Sequence, residues 1–177
     1  AELADWLRSA VADTAPAAGL SLDSRRIARG DVFLACPGEA GDGRRYIAQA
    51  IEAGASAVLF DDADGFAWDA SWTVPHRAVP SLAKAAGPIA HAWYGEPDRD
   101  MFCVAVTGTN GKTSCTQWLG QALSHNELPT VVIGTLGVGL FRDGSSGPFA
   151  ATGYTTPDPV QLHRHLAEQK SQGARAL

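Results

Sequence analysis

The sequence has little cysteine, no long apolar run and no excess of positive charge. Its three cysteines, Cys36, Cys103 and Cys115, form no CxxC pair, and an odd number does not make a disulfide framework. They are typical of a reducing compartment, and we expect a cytoplasmic protein. No segment reaches the length of a membrane span, and the first residues lack a signal-peptide pattern. The net charge of −5 makes nucleic acid an unexpected partner.

The chain does have an ordinary globular composition, with 45% hydrophobic and 19% charged residues over 177 positions. This length corresponds to one large domain or to one domain and part of another. Five arginines lie close together in the first part of the chain: Arg25, Arg26, Arg29, Arg44 and Arg45. Such a cluster in an acidic chain is compatible with an anion site or with a solvated surface that forms salt bridges.

Short apolar segments alternate with helical patterns in the first part of the chain, as in an α/β unit. The patterns predict strands at residues 20–22, 31–36, 57–60 and 72–74, and helices at residues 3–11, 46–53 and 81–94. Gly54 should end the second of these helices, and Gly87-Pro88 should break or kink the third.

The alternation restarts after the turn-rich stretch 95–98, so we predict one domain at residues 1–97 and another at 98–177. The all-apolar run 102–106 is typical of a central parallel strand that is buried on both faces. Residues 135–155 have many glycines and no clear period, which indicates a long functional or mobile loop. The remaining predictions for this domain are helices at 113–123 and 158–172, a strand at 130–133 and the beginning of another at 174–177.

A glycine loop connects the apolar run 102–106 to the following helix. A strand, a glycine turn, a lysine, a hydroxyl residue and a helix together form a phosphate-binding device, because loop N–H groups and the helix N-terminus face the anion. Lys112 would bring a positive charge to the β- and γ-phosphates, and the Thr113 hydroxyl can bind the Mg²⁺ between them. We expect the ligand to be ATP. The alternative is a chance glycine turn at the start of a helix.

The loop departs from the strict pattern G-x-x-x-x-G-K-[ST], because Val106 stands at the first glycine and Gly108 follows two positions later. In this form the run Thr107-Gly108-Thr109-Asn110-Gly111-Lys112-Thr113 resembles the phosphate loop of the Mur ligases and of their relatives, the folylpolyglutamate synthetases. These families contain ATP-dependent ligases that activate a carboxylate as an acyl phosphate and join it to an amine.

Other segments extend the resemblance to nearly the whole chain. Asp23-Ser24-Arg25, Gly30-Asp31-Val32-Phe33 and Asp42-Gly43-Arg44-Arg45-Tyr46 resemble the uridine-nucleotide-binding domain of Mur ligases. Gly134-Thr135-Leu136-Gly137 and Thr155-Thr156-Pro157-Asp158 resemble the members that add the third residue of the peptidoglycan peptide. The fold implied is α/β, with a small uridine-nucleotide-binding domain followed by the start of a parallel-sheet P-loop ATPase domain.

The resemblance also implies roles for individual residues. The implied ATP contacts are Gly108, Thr109, Asn110, Gly111, Lys112, Thr113 and Ser114. Among them Lys112 is the implied catalytic residue, and Thr113 is the implied Mg²⁺ ligand. The implied contacts of the UDP-muramoyl substrate are Leu22, Ser24, Glu39, Ala40, Gly41, Thr155 and Thr156.

Several of these residues have a simpler interpretation. Ser24 could act only in a cap or turn after Asp23, and Arg44 could be an ordinary surface residue after a turn at Asp42-Gly43. Thr155-Thr156-Pro157 could be only the start of a helix that Asp158 caps.

The implied reaction begins when the γ-carboxylate of UDP-N-acetylmuramoyl-L-alanyl-D-glutamate attacks the γ-phosphate of ATP. The amine of a diamino acid then displaces phosphate from the acyl phosphate, and catalysis is mainly positioning and charge neutralisation. The family's acidic Mg²⁺ ligand, its carbamylated lysine and its third domain have no counterpart in these residues. We therefore expect an N-terminal piece of a longer enzyme, monomeric and inactive alone.

Two other functions remain open at this stage. The Mur ligase of the next step, which adds D-alanyl-D-alanine, has a similar first domain, and a non-catalytic nucleotide-binding module would share the phosphate loop. The incoming amino acid could be meso-diaminopimelate or lysine. Abundant alanine, glycine and arginine with few lysines suggest a GC-rich bacterial genome, which favours diaminopimelate.

Overall fold

The computed structural model describes residues 2–11, 19–38, 41–151 and 157–177. The chain divides into two compact units, Ala1–Trp93 and Tyr94–Leu177, and this division lies a few residues before the boundary that the turn-rich stretch predicts. The predicted α/β class is confirmed, since both units combine helices with parallel strand pairing. None of the helices in the described ranges is long and apolar enough to cross a bilayer.

The first unit is built on a parallel sheet and a short hairpin. The strands are β1 (Leu20–Ser21), β2 (Val32–Ala35), β3 (Pro37–Gly38), β4 (Gly41–Asp42), β5 (Ala57–Phe60) and β6 (His76–Ala78). The order in the parallel sheet is β1-β2-β5-β6, and β3 and β4 form the hairpin. The register pairs Leu20 with Val32, Val32 with Ala57, and Val58 with His76. The two central strands, β2 and β5, are buried at every position.

Helices cover both faces of this sheet: α1 (Glu2–Val11), α2 (Ile47–Glu52) and α3 (Leu82–Trp93). Successive strand residues point to opposite faces, so Phe33 and Val58 share one face, where they pack with Ile47 of α2. On the other side, α1 contacts β5 and α3 contacts β2. The predicted end of α2 is confirmed, because Gly54 follows it with a φ of +104°.

Two details of the first unit differ from the sequence-based expectation. The last strand is not 72–74 but β6, because Trp72 and Val74 pack into the apolar cluster beside the sheet instead of joining the ladder. Of the break or kink that we predicted at Gly87-Pro88, the break is also wrong, because α3 continues through Pro88. The proline removes one main-chain donor, and the burial of apolar residues along α3 offsets that loss.

The second unit contains α4 (Lys112–His125), β7 (Thr130–Gly134), β8 (Gly137–Arg142), β9 (Ser145–Ser146) and α5 (Pro159–Ser171). The last residues of the chain form the predicted strand start, with Ala176 bridged in parallel to both Phe102 and Thr130. The Phe102 N–H donates to Arg175 O over 3.1 Å, and the Val131 N–H donates to Ala176 O over 2.8 Å. Next to this parallel part, β7, β8 and β9 pair in antiparallel fashion, so the sheet is mixed.

The run 102–106 is not the buried central strand that its composition predicts. Phe102 is 56% exposed and Val104 is 38% exposed. Within the described residues the run has a backbone neighbour on one side, at 175–177, and a cavity of about 50 Å³ lies between it and α4. An apolar strand is buried only where neighbours cover it, and here the covering is partial.

The predicted loop at 135–155 contains regular structure in its described part. Strand β8 pairs with β7 through a tight turn at Thr135-Leu136, and β9 pairs with β8 through a turn at Asp143-Gly144. Asp143 and Gly144 have φ values of +50° and +76°, as a type I′ turn requires. Asp-Gly between two strands is typical of a β-hairpin. It is hard to recognise in this sequence because the segment contains many other glycines.

Candidate functional site

The glycine loop of the second unit leads directly into α4. Gly108 has a φ of +142° and Gly111 a φ of +78°, both in the region that favours glycine. Gly111 is the N-cap of α4, which begins at Lys112, and the Cys115 N–H donates to Gly111 O over 2.9 Å. Free N–H groups of the loop and first turn, with the positive end of the helix dipole, make this a place for an anion.

The Lys112 side chain folds back over the glycine loop that precedes α4. Its Nζ donates to Gly108 O and, over 3.4 Å, to Thr109 O. The loop side chains and those of Thr113 and Ser114 are exposed to solvent. The positive charge is therefore held at the mouth of the loop, where it can exchange carbonyl oxygens for phosphate oxygens.

A cavity of about 200 Å³ adjoins this loop. Lys112, Thr113, Thr116 and Gln117 line it from α4, and the β7–β8 turn lines it from the sheet. Thr116 and Gln117 were missed in the sequence-based assignment. Their spacing could have revealed them, because residues three and four positions after Thr113 share its face of the helix.

The residues at the loop fit a magnesium ion that arrives with a nucleotide. Magnesium at such sites takes one or two protein oxygens and completes its shell with phosphate oxygens and water. The exposed Thr113 hydroxyl, in the first turn of α4, is a donor of that kind. Across the described ranges, no three His, Cys, Asp or Glu side chains gather into a group that could hold a metal.

In the first unit, the implied substrate residues follow two adjacent strands. Leu22 and Ser24 come directly after β1, and Gly41 lies in the β3–β4 hairpin that follows β2. Strands β1 and β2 are parallel neighbours, so both segments leave the sheet at its carboxyl edge. Ligands of open parallel sheets bind at that edge, and the fold therefore brings these segments to a common side.

Ser24 is 7% exposed and its Oγ lies 3.3 Å from Gln49 Oε1 of α2. The cap of this turn is Asp23, whose carboxylate accepts from the Arg25 N–H over 3.0 Å. Ser24 is therefore not the cap, but it is the first residue of the turn Ser24–Arg26, as the simpler interpretation allows. Its hydroxyl faces the side of α2, and the neighbouring Leu22 is half-buried.

Four of the implied substrate residues, Glu39, Ala40, Thr155 and Thr156, lie outside the described residues. Gly41 is exposed in β4. The expected cap of the last helix is confirmed, because the Asp158 carboxylate accepts from the N–H groups of Val160 and Gln161, each over 2.9 Å.

The arginines near the carboxyl edge are not equivalent. Arg26, Arg29 and Arg45 are exposed, and Arg25 pairs with Asp23 at 2.8 Å. Arg44 is only 6% exposed and pairs with Asp42 at 2.9 Å, so its interpretation as a surface residue is wrong.

These arginines change the ionisation of their aspartate partners. Hydrogen bonds from the Arg25 side chain hold the pKa of Asp23 below its ordinary value. Those from the Arg44 side chain do the same to the pKa of Asp42. Burial raises the pKa of the nearby Cys36 thiol, and the charges of Asp61 and Asp42 raise it further.

Two family patterns match the chain. The catalytic domain of the Mur ligase family matches residues 16–94, and the Mur ligase middle domain matches residues 106–177. Together they span most of the sequence, one in each compact unit.

Curated relatives carry a consistent description. A UDP-N-acetylmuramoyl-L-alanyl-D-glutamate–2,6-diaminopimelate ligase from Janthinobacterium sp. (strain Marseille) is 58% identical over all of this chain, which covers 34% of that relative. A protein of the same description from Chromobacterium violaceum is 49% identical over 92% of this chain and 32% of its own length. The chain thus spans about a third of the length of these relatives.

Solved structures agree with the sequence relatives. A UDP-N-acetylmuramoyl-L-alanyl-D-glutamate–2,6-diaminopimelate ligase structure superposes with a TM-score of 0.67 at 27% identity, over 89% of this chain and 30% of that one. A MurF ligase from Thermotoga maritima, in complex with ADP, gives a TM-score of 0.50 at 26% identity over 63% of this chain and 24% of that one.

Proposed function

Because the chain belongs to the Mur ligase family, we propose that it supplies the substrate-binding and nucleotide-binding parts of an ATP-dependent ligase of peptidoglycan synthesis. The proposed reaction joins meso-diaminopimelate to UDP-N-acetylmuramoyl-L-alanyl-D-glutamate. The observation that carries this proposal is the 58% identity, over the whole chain, to a relative described as that ligase.

We assign different binding functions to residues 1–97 and 98–177. The first part would bind the UDP-muramoyl substrate at the carboxyl edge of its parallel sheet, with Leu22, Ser24 and the loop Glu39–Gly41 as contacts. The second would bind ATP at residues Gly108–Ser114. Thr155 and Thr156 would meet the muramoyl-dipeptide end, next to the helix that Asp158 caps.

At the ATP loop, Lys112 would exchange its two carbonyl acceptors for phosphate oxygens of the nucleotide. Its charge would stabilise the negative charge that gathers on the γ-phosphoryl group during transfer to the substrate carboxylate. Gly108 and Gly111 have positive φ values, and in this conformation N–H groups of the loop would face the phosphates. With Thr113 as its protein ligand, Mg²⁺ would add further charge neutralisation when bound.

The rival functions receive less support. The D-alanyl-D-alanine-adding ligase shares the fold, but both curated relatives described above are diaminopimelate ligases. The similarity to these ligases also favours diaminopimelate over lysine. A non-catalytic module would need only the phosphate loop, whereas this chain matches the family in both units. All three cysteines are free thiols, which fits the cytoplasm as the site of the reaction.

The first test measures substrate binding by the 177-residue chain with isothermal titration calorimetry. We expect UDP-N-acetylmuramoyl-L-alanyl-D-glutamate to bind more tightly than the corresponding tripeptide product, which already carries the third residue. Ser24→Ala should weaken that binding, whereas Ser71→Ala, at an exposed position far along the chain, should leave it unchanged. Absence of binding by the unaltered chain would contradict the proposal.

The second test concerns the nucleotide. Lys112→Ala should abolish measurable ATP binding, because it removes the charge at the mouth of the loop. Lys84→Ala, on α3 of the first unit, is the matched control. ATP affinity that survives the loss of Lys112 would mean that the loop does not hold the phosphates.

A further inference from the structure

Two Asp-x-Arg turns occur in the first unit, and their local geometry is the same. In each, the aspartate accepts from the N–H of the arginine over 3.0 Å. Each arginine also donates to that carboxylate from Nε over 2.9 Å, and from Nη2 over 2.8 Å in Arg25 and 2.9 Å in Arg44. The difference is burial, since the Arg25 side chain is 78% exposed and the Arg44 side chain 7% exposed.

Arg44 makes contacts beyond its own turn, to the segment that follows β5. Its Nη1 donates to Asp61 O over 3.2 Å and to Ala63 O over 2.6 Å, and its guanidinium lies 5.1 Å from the centre of the Phe66 ring. Asp64 adds an ion pair at 3.7 Å. The Arg44 charge is thus paired with carboxylates, and its Nη1 donates to two main-chain oxygens. A buried arginine is tolerated energetically when its charge is paired and its N–H groups are hydrogen-bonded.

The segment that Arg44 holds is itself anchored. Asp61 is 5% exposed, and its carboxylate accepts from the Leu82 N–H at the start of α3 over 2.7 Å and from the Ala63 N–H over 3.0 Å. Arg44 therefore connects Asp42, at the end of the β3–β4 hairpin, to the segment that Asp61 attaches to the start of α3. The guanidinium serves as a brace between them.

The other attachment of the hairpin is at Gly43. Its N–H donates to Cys36 O over 3.0 Å, and a Cβ at this position would lie 2.8 Å from the same oxygen. Only glycine allows this approach. The base of the hairpin is thus fixed at Gly43 by contact with the end of β2 and at Asp42 by Arg44.

We propose that Arg44 is a positioning residue for binding of the sugar nucleotide. In this role Arg44 acts by holding Asp42 and the adjacent Gly41, one of the proposed nucleotide contacts, and needs no contact with the ligand. This inference rests on the proposed function. A binding loop that is already fixed loses less conformational entropy when the ligand binds. Arg44 therefore raises the affinity for the sugar nucleotide without contacting it.

The test is Arg44→Lys in the 177-residue chain, titrated with UDP-N-acetylmuramoyl-L-alanyl-D-glutamate. Lysine keeps the charge but loses the planar fork that reaches a carboxylate and two carbonyls together. We expect the Kd to rise roughly tenfold, the change that corresponds to about 1.4 kcal/mol. Arg8→Lys is the control, because Arg8 also joins a carboxylate and a carbonyl, Asp5 and Ala92 O, but on α1.

Two further measurements separate positioning from a merely structural role. Titrations are made well below the melting temperature of each variant, and ATP affinity is measured in the same samples. Positioning predicts a raised Kd for the sugar nucleotide with an unchanged Kd for ATP. An unchanged sugar-nucleotide Kd with a lowered Tm, or a rise in both Kd values, would overturn the inference.

Asp42→Asn is a second variant, which keeps the shape of the turn and removes the charge that Arg44 pairs with. It should raise the sugar-nucleotide Kd in the same direction. If neither variant folds, Arg44 is a stability residue and the positioning role is rejected. Failure of the unaltered chain to bind the sugar nucleotide would instead contradict the proposed function, so the two failures are distinguishable.

Discussion

Each of the two units contains an apolar run of similar composition, but the two runs differ in how far they are buried. In the first unit, β2 reads Val-Phe-Leu-Ala and is buried at every position between β1 and β5. In the second, residues 102–106 read Phe-Cys-Val-Ala-Val, yet Phe102 and Val104 are exposed. The difference lies in the neighbours, since β2 has a strand on each side and helices on both faces of its sheet. Composition gives a strand the ability to be buried, and long-range packing decides whether it is.

The largest change in stability is expected when one phenylalanine is replaced in each unit. Phe33→Ala removes a side chain that is 1% exposed and should lower the free energy of unfolding by about 3–5 kcal/mol. Phe102→Ala, at 56% exposure, should change it by about 0.5 kcal/mol or less. Urea unfolding followed by circular dichroism gives both values. Equal losses at the two sites would mean that residues 102–106 are buried in solution.

The next test asks how closely α4 packs on its sheet. Gly120→Ala would place a Cβ 2.8 Å from Val132 Cγ2 and 2.9 Å from Phe141 Cδ2, so the side chains must move. We expect a loss of about 1–3 kcal/mol in the second unit. Gly147→Ala has open space around it and serves as the control in the same unit. A neutral Gly120→Ala would show that α4 can withdraw from the sheet without cost.

A smaller effect is expected at the start of α5. Asp158→Ala removes the acceptor for the N–H groups of Val160 and Gln161, and helix caps of this kind contribute about 1 kcal/mol. Asp100→Ala, whose ion pair with Lys170 spans 4.0 Å at the surface, should cost less than about half of that. Thermal unfolding of both variants provides the comparison. A larger loss for Asp100→Ala would reverse this ranking.

The smallest expected effect is the acid response of the first unit. Asp23 and Asp42 have folded-state pKa values below their ordinary ones. Their contribution to stability is therefore complete above the unfolded-state pKa of about 3.9, and it is lost as pH falls through the folded-state values. Asp42→Asn should reduce the slope of unfolding free energy against pH below about 4. A slope equal to that of the unaltered chain would argue against the Asp42–Arg44 pair in solution.

Local patterns were enough to predict much of this molecule. The glycine loop, the start of α4 and the cap at Asp158 depend on neighbouring residues, and so does the glycine that ends α2. The short strands of the first sheet were also predictable, except that Trp72 and Val74 joined an apolar cluster where strand propensity suggested a ladder.

Other features depend on residues far apart in the sequence and could not be predicted from it. The two Asp-x-Arg turns form the same hydrogen bonds within the turn, but Arg44 is buried against the segment after β5 and Arg25 is exposed. The Asp143-Gly144 hairpin is different, because its two turn residues are neighbours in the sequence and could have identified it. The helical spacing after Thr113 could also have indicated Gln117, but the cavity that it lines forms only because α4 lies beside the β7–β8 turn.

The position of Lys112 has a consequence for the ATP binding that we propose at this loop. Its ammonium already has acceptors in the carbonyl oxygens of Gly108 and Thr109, so the unliganded loop neutralises part of its own attraction for anions. A ligand must offer oxygens with more negative charge than a carbonyl to draw the ammonium away, and a polyphosphate does so far better than a nucleoside or a monophosphate. Under the proposed function, the loop would therefore favour nucleotides with more phosphate groups before any contact with the base is made.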